Sequence, residues 1–89
     1  MTEKEKAVKL VEDFKKMIHG AISPETTAYT RTKIENPSWS DYVKYSREYH
    51  AKKAALYCVS VMENSEYFNF LFQSDIDYWQ QVKIEIENL

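Results

Sequence analysis

A single glycine in 89 residues excludes the phosphate-cradling loops of Walker and dinucleotide-binding sites, which need several. A single cysteine, Cys58, excludes an internal disulfide and fits a reducing cytoplasm. No apolar run approaches the roughly 20 residues of a bilayer span, so no membrane association is expected. The start, Met1-Thr2-Glu3-Lys4-Glu5-Lys6, runs into an amphipathic pattern and not into a signal-peptide core, which argues against export. Neither sign of charge dominates. Twelve Lys and Arg against 14 Asp and Glu leave −2, too little for a nucleic-acid mimic and the wrong sign for long-range attraction to phosphate. What is present is 44% hydrophobic content, enough for a packed core, in a length that makes one small domain over 1–89.

Periodicity predicts an all-α chain of three main helices, near 3–19, 39–64 and 75–89. Thr2 and Glu5 have capping-box spacing. Ala7, Leu10, Val11, Phe14, Met17 and Ile18 then recur on one stripe, and Gly20 is placed to be the C′ residue. Ser23-Pro24-Glu25 suggests a short helical turn. The threonines that follow have low helix propensity, so 23–37 reads as that turn and then an exposed, flexible connector closed by Asn36-Pro37. The long second helix opens at Ser38 or Ser40. Its second half, Ala54 to Met62, is apolar nearly all round, which predicts a central rod covered on several sides. The first and third helices are expected to pack there, around Ala54, Leu56, Cys58, Val59 and Met62. Ala51, Ala54, Ala55 and Cys58 are small and share a side, allowing close approach. Ser74 reads as the N-cap of the last helix, with Tyr78, Trp79, Val82, Ile86 and Leu89 as its buried stripe and Ile84 opposite.

The catalytic inventory is thin, and the chain is expected to be non-enzymatic. Cys58 and His50 are eight residues, about 12 Å, apart on one helix, beyond hydrogen-bond reach. Cys58 reads as a small buried hydrophobe and His19 as a residue of the first helix's last turn. His50 has Lys53 and Ala54 at its i+3 and i+4 positions, so no second metal ligand shares its face. Asp75 and Asp77 point apart, and the acids around the aromatic connection lack calcium-loop spacing. No cofactor or metal is expected.

Ala51-Lys52-Lys53-Ala54-Ala55-Leu56-Tyr57-Cys58-Val59, with Asp77-Tyr78-Trp79-Gln80-Gln81-Val82-Lys83-Ile84-Glu85-Ile86-Glu87 after a gap, resembles short uncharacterised phage and prophage helical proteins. These show an Ala-Lys-x-x-Ala helix and a terminal Tyr-Trp-x-x-Val-Lys-x-Glu-Ile-Glu helix. The resemblance covers about the first 20 and last 40 residues through motifs of low to moderate specificity; Tyr29 to Tyr49 departs from the pattern. It implies a phage-type origin, hence a host-cell cytoplasm, and no catalytic residues. By resemblance alone, the expected role is inhibition of a host or defence protein.

Seven Tyr, four Phe and two Trp exceed what so small an interior can hide. Surplus rings suit an interface because they combine area with a polar tip. The expected partner surface comprises Tyr42, Tyr45, Tyr49, Tyr67, Phe68, Phe70, Phe72 and Ile84, meeting a host protein, a second copy or both. The bland alternative is that Tyr67–Phe72 caps the open end of the core. A rival reading, a nucleotide or nucleic-acid binder, rests on Lys44, Arg47 and Lys52 interleaved with tyrosines, cations and stacking rings being what single strands need.

Overall fold

The computed structural model describes the backbone of residues 1–63 and 73–89, and the side chains of 1–61 and 76–89. The described residues form four helices and no strand: α1 (Glu3–Met17), α2 (Pro24–Lys33), α3 (Trp39–Glu63) and α4 (Gln73–Glu87). This is a small all-α bundle around a long central helix.

Local chemistry sets the helix starts. The Thr2 hydroxyl accepts from the Glu5 amide at 3.1 Å, and Glu5 accepts from the Thr2 amide at 3.4 Å, the expected capping box. Ser38 and Asp41 form the same reciprocal pair ahead of α3, at 3.3 and 2.9 Å. Such caps contribute about 1 kcal/mol each. α4 begins at Gln73, so Ser74 lies inside the helix and not at its cap.

α2 is longer than the turn expected in 23–37. Ser23 caps it, accepting from the Thr26 amide at 3.2 Å, while the Thr26 hydroxyl accepts from the Ser23 amide at 2.7 Å; Pro24 sits at its first turn. Its threonines are tolerated because their hydroxyls bond the helix's own carbonyls. Thr30 donates to the Thr26 oxygen at 2.8 Å and Thr32 to the Tyr29 oxygen at 2.6 Å. Thr26 and Thr30 are fully buried, and α2 packs on α3. Packing thus outweighs a propensity deficit of a few tenths of a kcal/mol per threonine.

The core joins α1, α3 and α4 through Ala7 and Val11, Ala51, Ala55 and Val59, and Val82 and Ile86. Leu10, Phe14, Leu56, Tyr78, Trp79 and Leu89 pack around it. On α3 the buried apolar positions, Ala51, Ala55 and Val59, are spaced four apart on one narrow stripe. The rod is therefore not covered all round: Tyr57 is 73% exposed and Val61 51%, while Ala54 and Cys58 are half-buried. Cys58 is thus not the fully buried residue expected. Apolar content overstated the coverage because, among the described residues, two helices, α1 and α4, flank this half. Met62 falls outside the described side chains.

α1 stops at Met17, so His19 lies past its last turn and Met17 is exposed. Gly20 is not a left-handed cap, since no glycine has positive φ. Its role is close approach. A β-carbon there would lie 2.4 Å from Arg47 Cα and 2.5 Å from Arg47 N. The α1–α2 connection crosses α3 where only hydrogen fits, over the fully buried Ser46.

Gly20→Ala should therefore destabilise the fold by about 1–3 kcal/mol through forced backbone displacement. Thermal melting checks this, with Ala21→Gly as a control expected to leave Tm nearly unchanged because Ala21 is exposed.

Candidate binding groove

The side chains proposed from sequence divide between two sides of α3. Tyr42, Tyr45 and Tyr49 are half-buried on the side that holds α2. The Tyr29 hydroxyl donates to Glu48 at 2.9 Å, and its ring lies 5.5 Å from that of Tyr49. Lys33 and Lys52 each place Nζ 5.4 Å from the Tyr29 ring centre. The same two ammonium groups donate to the Leu89 main-chain oxygen at 3.2 and 3.1 Å. Lys53 sits 5.0 Å from the Tyr49 ring. His50 Nε2 lies 3.1 Å from the Ala21 oxygen, and Arg31 donates to the Tyr42 hydroxyl at 3.4 Å.

These contacts fasten α2 and the end of α4 to α3. Burial first, then the Glu48 contact, holds the Tyr29 phenol above its usual range, because both disfavour the phenolate. Burial, with Lys33 beside it, pulls the Lys52 ammonium below its usual range. Lys52 thus serves this cluster and does not join Lys44 and Arg47.

Lys44 and Arg47 belong to a different feature, a groove of about 640 Å³ between the end of α1 and the start of α3. Its floor is Trp39 and Val43, one helical turn apart; Arg47 continues the same stripe. Trp39 is 75% exposed. Lys15 and Lys16 face it from α1, and Glu12 is the only acid among the lining residues. Glu12 pairs with Lys15 at 3.1 Å, while Lys44 lies 5.2 Å from the Tyr45 ring. Lys16 and Arg47 form no ion pair among the described residues. The two lysines also suit the negative end of α1, so their presence has a structural cause as well. The arrangement offers an apolar floor under a cationic rim, chemistry that fits an anionic, partly apolar ligand.

Ile84 stands on the outer face of α4, 47% exposed. Tyr67, Phe68, Phe70 and Phe72 lie outside the described residues. Sequence reasoning counted Trp39 among the rings but missed its pairing with Val43, Lys15 and Lys16. The i, i+4, i+8 spacing of Trp39, Val43 and Arg47 was the available signal.

Among the described residues no group of three or more His, Cys, Asp or Glu side chains gathers as metal ligands. None of their helices is long and apolar enough to cross a membrane. No protein-family model, curated protein or solved structure matches the chain.

The Tyr29 environment makes a pH prediction. Its folded-state pKa lies above the ordinary value of 10.0. The contribution to stability is therefore complete below that value and is lost as pH rises through the folded pKa. Ultraviolet titration should show a late tyrosine ionisation, above the ordinary range, and Tyr29→Phe should remove that step.

Proposed function

We propose that this is a non-enzymatic, phage-type protein of the host-cell cytoplasm that acts by protein–protein contact, with the α1–α3 groove as its contact surface. The observation that supports this reading is Trp39, 75% exposed on the floor of a groove with four cations on its rim. Exposing an indole forgoes burial worth about 2 kcal/mol, and a tryptophan in a pocket is the commonest kind of interface anchor. The partner is a second copy of the chain, a host or defence protein of the kind the motifs shared with short phage proteins favour, or both. The tyrosines of α3 then act indirectly, by holding α2 against the helix that carries the groove.

A phosphate or nucleic-acid ligand is the second reading, favoured by Lys44 and Arg47 lying together with Lys15 and Lys16. Against it stand the single ring in the groove, where strand binding uses several, and the net charge of −2.

Immobilised protein should retain a partner, from host lysate or as an added second copy; Trp39→Ala should weaken retention by about thirtyfold, the effect of losing an interface anchor, and Arg47→Glu by about tenfold. Tyr57→Ala should retain it as the wild type does. Retention unaffected by both groove variants would overturn the reading. On a phosphate column, elution below about 0.1 M salt is expected; firmer binding that Arg47→Glu abolishes would favour the second reading.

A further inference from the structure

We infer that the groove's occupant is the α4 face of a second copy of this chain, with Ile84 against Trp39 and Val43 and Glu87 against the cationic rim. This rests on reading the groove as a protein-contact surface and names the partner.

Charge complementarity is the first support. Residues 1–62 carry 11 Lys and Arg against 8 Asp and Glu, whereas residues 63–89 carry 1 against 6. The groove is the cationic extreme of the first part, with four cations to one acid. α4 lies in the acidic part. The ligand chemistry that the groove calls for is thus present on the chain itself.

The shape of the α4 face is the second support. At about 100° per residue, Asp77, Gln80, Gln81, Glu87 and Asn88 surround Ile84 on one stripe, and all are exposed. Glu87 forms no ion pair among the described residues. An amphipathic helix with one apolar anchor and flanking acids is what an apolar floor with a cationic rim receives. Polynucleotide lacks such an anchor and would meet only one ring to stack on. Because the groove and the α4 face belong to one chain, a two-fold pair could make the contact twice, each copy giving and receiving.

Light scattering during size exclusion tests this on the intact chain. In low salt, mass should rise above the 10.6 kDa monomer with concentration, and about 0.5 M salt should reverse the rise by screening. Arg47→Glu and Glu87→Lys should each weaken association about tenfold, as like charges meet. The double variant Arg47→Glu with Glu87→Lys should restore it, and that rescue also excludes misfolding as the cause of the losses. Ile84→Ala should weaken association with both charges intact. A wild type that remains monomeric up to about 1 mM, a concentration at which even contacts of about 4 kcal/mol populate dimers, would overturn the inference. So would association indifferent to the single reversals. A strict monomer whose lysate partner still depends on Trp39 would remove the second copy as occupant and leave the groove's role intact. A groove that neither self-associates nor retains a Trp39-dependent partner would remove both.

Discussion

The fold depends on how closely α1 and α4 approach α3, and the side chains between them set that distance. Ala51, Ala55 and Val59 are the fully buried apolar positions described on α3. Helix axes separate by about 8–10 Å according to the residues at the contact. With alanine at two of three positions the seam is narrow. It accepts Ala7 and Val11 from one side and Val82 and Ile86 from the other. No aromatic ring among the described residues is fully buried; the rings lie around the core or away from it. The heavy aromatic load and the thin core are two aspects of one constraint.

That exclusion divides the rings by task. Tyr78 and Trp79 close the margin of the bundle, meeting edge to face at 5.5 Å. Tyr29 and Tyr49 hold α2 on the first half of α3, where the fully buried residues are the small polar Thr26, Thr30 and Ser46. Cations over these half-buried rings contribute about 0.5–1 kcal/mol each. Trp39 stays outside both groups, and in the functional account it is the ring reserved for a partner.

The parts of this organisation that follow local rules were legible in the sequence. The Thr2 cap, the α1 stripe from Ala7 to Phe14 and the α4 stripe of Tyr78, Trp79, Val82, Ile86 and Leu89 follow directly from helical spacing. α2 was underestimated because its threonines argue against a helix, and the contacts that overrule them lie on α3. The second half of α3 was read as enclosed because composition reports apolarity and not the number of neighbours. Gly20 looked like a helix stop, although its cause is a crossing with Arg47, 27 positions further along. The groove was hidden for the same reason. Lys15 and Lys16 carry the ordinary pattern of a helix end, and only the packing of α1 against α3 brings them to Trp39. The tyrosine stripe was visible as a stripe, but periodicity could not tell a face turned toward a partner from one turned toward α2.

A paired substitution on α3 tests the narrow seam most directly. Ala55 is fully buried in it, and its neighbour Ala54 is half-buried beside it. Chemical denaturation should show Ala55→Leu losing about 1–3 kcal/mol by overpacking, and Ala54→Leu losing less than half as much. Equal losses, or a stabilised Ala55→Leu, would contradict the claim that close approach at this stripe organises the fold.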